Sequence, residues 1–152
     1  MSADSTPTTQ LAKADYQALA AFRLALRRFL AFSDAAIRAR GITPQQHQAL
    51  LAIKASPEES LTVGALAEAL LLQHHSGVEL AKRLEASGFV ARSSAPDDRR
   101  KVLLGLTPAA EALLGALAAT HLQELRSMQP RLAQALAGLG ERFSDQAGSG
   151  EP

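Results

Sequence analysis

The segment Gln73–Thr107, QHHSGVELAKRLEASGFVARSSAPDDRRKVLLGLT, constrains this chain more than any other stretch. It opens with a helical pattern. Gly77, Leu80, Ala81 and Leu84 fall on one side, and His75, Ser76, Glu79, Lys82 and Arg83 on the other. Gly88 supplies a stop. Two short β-like runs follow, Phe89–Arg92 and Val102–Leu106, separated by the charged, turn-rich stretch Ser93–Lys101. Helix, stop and hairpin in that order describe a winged helix, in which a helix and a hairpin both project from one small core.

Charge is focused on the same segment. From Lys82 to Lys101 the basic residues are Lys82, Arg83, Arg92, Arg99, Arg100 and Lys101, against Glu85, Asp97 and Asp98. That stretch nets three positive charges while the whole chain nets +1, so the remainder is negative. Local positive charge on a helix and a hairpin suits a polyanion such as double-stranded DNA.

Upstream, Leu61-Thr62-Val63 leads into a short helix ending near Leu71, with Thr62 as its N-cap. About three residues separate it from the helix that starts at His74, the spacing of a helix-turn-helix. Before it, Thr43-Pro44-Gln45-Gln46 reads as a capping box with proline at the first helical position, opening a helix to about Ala55. A long helix is expected over about 14–40, with Leu19, Phe22, Leu26, Phe29, Leu30 and Ile37 as its apolar stripe and Gly41 as its stop. After Thr107-Pro108 another runs to about Gln129, carrying Leu113, Leu114, Leu117, Leu122 and Leu125; Pro130 is expected to interrupt it before a last helix with Leu132, Leu136 and Leu139.

These outer helices carry more leucine than the small middle core can cover, so they are expected to pair with a second copy. The fold class expected is mostly α with a small β-hairpin wing. A winged helix-turn-helix over about 43–107 is flanked by N- and C-terminal dimerisation helices over about 14–40 and 108–140. All of this falls in one domain, 12–140, between a disordered arm, 1–11, and a disordered tail, 141–152. A two-fold dimer sets two recognition helices about 34–36 Å apart and predicts a pseudo-palindromic operator.

Composition agrees and excludes several classes. The chain has 152 residues, 47% hydrophobic and 20% charged, with apolar content dominated by Ala and Leu. It has no cysteine, which rules out disulfides, thiolate metal sites and thiol redox sensing. No apolar run nears bilayer length and the first ten residues are polar, so a cytoplasmic protein with no membrane partner is expected. The sequence shows no Gly-rich phosphate loop, nucleophile elbow or zincin motif, so no enzyme and no cofactor are expected. His74 and His75 are adjacent and point about 100° apart on a helix, so they do not converge on a metal ion.

The residues resemble the MarR family of bacterial transcription regulators over about 14–140. The wing Ser94-Ala95-Pro96-Asp97-Asp98-Arg99-Arg100-Lys101 carries the family's Asp-x-Arg, five residues, Leu-Thr pattern on Asp98, Arg100, Leu106 and Thr107. Thr43–Gln46 looks like the family's second-helix start, Leu61–Ala67 looks like its third-helix start, and His74–Leu80 resembles one subgroup's recognition helix. Many members have Asp-Pro where this chain has Ala95-Pro96, and Ser93 and Ser94 stand where wings are often more basic. Both changes lower the wing's charge.

The resemblance implies a dimeric repressor, DNA-bound, released by a small aromatic or phenolic effector. It assigns Arg100, with Arg99 beside it, to the minor groove, Lys101 to DNA binding, and Asp98 to holding the wing. A guanidinium on a narrow tip suits the negative potential there. Gln73, His74, His75 and Ser76 lie at the helix N-terminus, where backbone N–H groups and the dipole favour phosphate. Gln73 and His75 are also placed to read base edges. Lys82 and Thr62 are phosphate candidates. Phe22, Phe29 and His47 are the candidate effector residues, with ordinary core packing as their plainer role. The competing reading is a winged-helix protein-interaction module without DNA binding, motivated by the low net charge.

Overall fold

The computed structural model describes residues 11–147, with side chains described through 138; most of the expected arm and the last five residues of the expected tail lie outside this range. Five helices and three strands follow in the order α1 (Lys13–Ala39), α2 (Pro44–Ala55), β1 (Ser60–Leu61), α3 (Val63–Ala69), α4 (His74–Ala86), β2 (Val90–Ser94), β3 (Val102–Leu106) and α5 (Pro108–Ala147). The chain divides into two compact units, residues 32–122 and residues 1–31 with 123–152.

The central unit, 32–122, is the winged helix. Its helix ends follow from local chemistry. Thr43 Oγ1 accepts from the Gln46 backbone N–H at 3.1 Å, and Gln46 Oε1 accepts from the Thr43 N–H at 2.9 Å, completing the capping box. Thr62 Oγ1 caps α3 by accepting from the Ala65 N–H. Gly41 and Gly88 take φ of +79° and +73°, the left-handed stop that glycine reaches without strain. Thr107 starts α5: its hydroxyl donates to the Gly88 carbonyl at 2.6 Å and accepts from the Ala110 N–H. One side chain thus ties the end of α4 to the start of α5.

Leu50 and Ile53 of α2, Leu66 of α3, Leu80 and Leu84 of α4, Val90 of β2, Leu104 of β3 and Leu114 of α5 form one buried core. Ile37, Ile42 and Leu117 make a second, smaller cluster. The sheet has the order β1-β3-β2 and is antiparallel throughout. Ser60 pairs with Gly105 and Leu61 with Leu104 on one edge of β3; Val90 pairs with Leu106 through to Ser94 with Val102 on the other.

In the terminal unit, the first turns of α1 and the last turns of α5 leave many apolar side chains open to solvent in the single chain. Leu19, Leu24, Leu26, Leu30, Leu125 and Leu136 are all exposed. A groove of about 520 Å³ runs through this unit, lined by Ala18, Ala21, Leu24, Ala25, Met128 and Ala135 among others.

Three expectations need correction. Pro130 does not interrupt the last helix: α5 runs unbroken for 40 residues with Pro130 inside. An interior proline forfeits its N–H bond and crowds the carbonyl four residues earlier, a cost met here at an exposed position flanked by strong helix formers. Residues 141–147, expected as tail, continue α5. The wing strand β2 reaches Ser94, so Ser93 and Ser94 are ladder residues rather than part of the tip.

Candidate nucleic-acid interface

The wing tip is held by a compact set of bonds. Ala95 N–H donates to the Lys101 carbonyl and Lys101 N–H to the Asp98 carbonyl, each at 3.0 Å. Asp98 Oδ1 accepts from the Arg100 backbone N–H at 2.9 Å and from Arg100 Nε at 3.3 Å. Asp98 therefore fixes the turn and also orients the guanidinium, while the Arg100 side chain remains 93% exposed. Ala95 is buried under this turn. A carboxylate at that position would have to be desolvated, which fits the departure from the Asp-Pro form. Arg99 and Lys101 are exposed and make no ion pair among the described residues.

At the start of α4, Gln73 is the N-cap by backbone conformation, but its side chain makes no capping bond. His74 and His75 are exposed and Ser76 is half-buried. The amide head of Gln73 and both imidazoles are thus available where the helix dipole favours anions. Lys82 is less available than its position suggests, because its Nζ lies 3.1 Å from Glu79 Oε1. Arg92 is paired with Glu85. Thr62 and Lys101 line the same cavity, of about 590 Å³, together with Ser93, Ser94, Glu58 and Asp97. The structure therefore brings the α3 N-cap and the base of the wing together.

The crossing of α3 and α4 is close. A Cβ added at Gly77 would lie 2.7 Å from Ala67 Cβ. Leu71, in the turn between the two helices, takes φ of +55° and is almost wholly exposed.

The expected effector residues separate. Phe22 and Phe29 are half-buried on α1 in the terminal unit, and neither lines its 520 Å³ groove. His47 is buried in the central unit, where it meets a residue that sequence reasoning did not connect with it. Its ring stands edge-on to His121 of α5, with centroids 5.1 Å apart, and His121 Nε2 lies 3.1 Å from Ser33 Oγ of α1. All three are buried. Among the described residues no group of three or more His, Asp or Glu is placed to hold a metal. No described helix is long and apolar enough to cross a membrane.

Burial, and then the charge of His121, hold the His47 imidazole below its ordinary pKa. The unfolded chain therefore binds this proton more readily than the folded one. Stability from neutral burial is complete above the unfolded value near 6.5 and is lost as pH falls through the lowered folded value. The slope is at most about 1.4 kcal/mol per pH unit for one proton. Chemical denaturation between pH 8 and pH 5 should show this loss, and His47→Phe should flatten it. Equal slopes in both proteins would remove His47 as the cause.

The MarR family model matches residues 40–101, which span α2 to the wing tip. Over this stretch, which is less than half of the chain, the sequence is similar to the MarR family. A transcriptional regulatory protein assigned to the hcr operon of Thauera aromatica is 28% identical to it over 110 residues, covering 72% of this chain and 65% of the relative. Among solved structures, a mutant of Staphylococcus aureus MepR bound to an oligodeoxyribonucleotide has a TM-score of 0.65 at 23% identity, over 86% of this chain and 97% of MepR. Bordetella bronchiseptica BpsR, whose DNA binding is regulated by 6-hydroxynicotinic acid, has a TM-score of 0.55 at 27% identity, over 81% of this chain and 89% of BpsR. The MarR fold here has its helix-turn-helix in α3 and α4 and its wing in β2 and β3. Nothing in the sequence pairs His47 with His121; only the packing of α2 on α5 does.

Proposed function

We propose that this chain is a sequence-specific DNA-binding transcriptional regulator of the MarR family. The observation that carries this reading is the wing tip, where Asp98 pins the turn while Arg100 stays open to solvent. An arginine that is pre-aimed and unburied suits insertion into a narrow minor groove. The uncapped Gln73 side chain, with His74, His75 and Ser76 at the start of α4, supplies the major-groove part. Thr62, Arg99 and Lys101 supply backbone contacts, with Lys82 behind them.

The exposed leucines of the terminal unit support a homodimer, which would bind a pseudo-palindromic operator as a cytoplasmic repressor. BpsR supports an aromatic acid or phenol as the effector class.

Titrating a duplex from the chain's own upstream region at several salt concentrations tests the reading. Binding should weaken as salt rises, by about 0.9 in log K per log salt for each phosphate neutralised. Absence of binding at low salt to any duplex would favour a protein-interaction module instead.

A further inference from the structure

Glu79 stands at the centre of the outward face of α4. The buried side of this helix is Gly77, Leu80, Ala81 and Leu84. At about 100° per residue, the opposite direction carries His75, Glu79, Lys82 and Ala86. All four are exposed. In the proposed DNA complex this is the line of side chains that enters the major groove. A carboxylate there has the wrong sign for the phosphate backbone.

Its surroundings reduce that conflict without burying the group. Lys82 Nζ is 3.1 Å from Oε1, while Arg83 Nε reaches only the Glu79 main-chain carbonyl, at 3.4 Å. The side chain remains 62% exposed. One carboxylate oxygen is therefore partly neutralised, and the other has no hydrogen-bond partner among the described residues. A carboxylate only accepts hydrogen bonds, so in the major groove it needs an amino donor. Adenine N6 sits beside the acceptor N7, which repels a carboxylate; cytosine N4 has no acceptor on its own base edge.

We propose that Glu79 reads a cytosine amino group, requiring a G·C pair at one position of each half-site. Lys82 positions Glu79 and balances its charge. This inference rests on the DNA-binding reading.

Selection from randomised duplexes with the wild type, Glu79→Ala and Glu79→Gln, followed by titration of the selected duplex and its single-position variants, tests it. The wild type should prefer cytosine at one half-site position by about tenfold or more over the other bases. Glu79→Ala should lose that preference while binding other duplexes as well as before or better, with an unchanged melting midpoint. Glu79→Gln should move the preference towards adenine, which a carboxamide can bind in two-pronged fashion. Retention of the cytosine preference in Glu79→Ala overturns the inference. So does a uniform tightening on every duplex, which would make Glu79 a solvated charge. Failure of the wild type to bind any duplex would bring down the DNA-binding reading as well.

Discussion

Gly77→Val is expected to lower the unfolding free energy by about 2–3 kcal/mol, because extra carbons in a packed site force backbone shifts. The α3–α4 crossing leaves no room. The first added carbon already meets Ala67 Cβ at 2.7 Å, with Ala67 Cα at 3.4 Å and the Val63 carbonyl at 3.5 Å. None of these is the tip of a flexible side chain, so relief has to come from moving one helix. Gly77→Ala sets two effects against each other. Alanine gains about 1 kcal/mol of helix propensity over glycine and loses about 1–3 kcal/mol to overpacking. Its stability should fall only slightly. Its operator affinity should fall more, because the same shift re-aims Gln73 and His75 at the other end of α4's first turn. Gly115, on an exposed part of α5 with nothing within 4 Å of an added Cβ, is the control. Gly115→Ala should stabilise by about 0.5–1 kcal/mol. Urea denaturation and DNA titration of the three variants separate these effects. A Gly77→Val protein with wild-type stability and affinity would show that the crossing has slack.

Local chemistry was the legible part of this fold. Thr43 with Gln46, Thr62, Gly41 and Gly88 each act within a few residues of their own position, as Thr107 does in capping α5, and each terminates or starts an element in the expected place. The wing was legible because Asp98 and Arg100 interact two residues apart. Features set by distant partners were not. β1 is two residues long and exists because Ser60 and Leu61 meet the free edge of β3; no periodicity can be read from two residues. Pro130 carries a strong local signal for interruption, yet the length of α5 on both sides prevails. Ser33, His47 and His121 come from three helices, and only tertiary packing joins them.

Arg100→Ala is expected to weaken operator binding by about 1–3 kcal/mol, roughly 5- to 150-fold, if the guanidinium reads the minor groove. Stability should hardly change. The Arg100–Asp98 pair is exposed on the arginine side, and exposed pairs contribute about 0–1 kcal/mol. Affinity and stability therefore separate at this residue, whereas at Gly77 they fall together. Asp98→Ala provides the complementary test. It removes both the main-chain bond that shapes the turn and the bond that aims Arg100. Affinity should fall although a negative charge has been taken away from a DNA-facing loop. If the wing acted only as diffuse positive charge, Asp98→Ala would tighten binding instead, and Arg100→Ala would do no more than lower the salt slope by about 1. Titrating both variants on one duplex at two salt concentrations decides between an aimed arginine and a charged surface. Unchanged operator affinity in Arg100→Ala would defeat the wing assignment altogether.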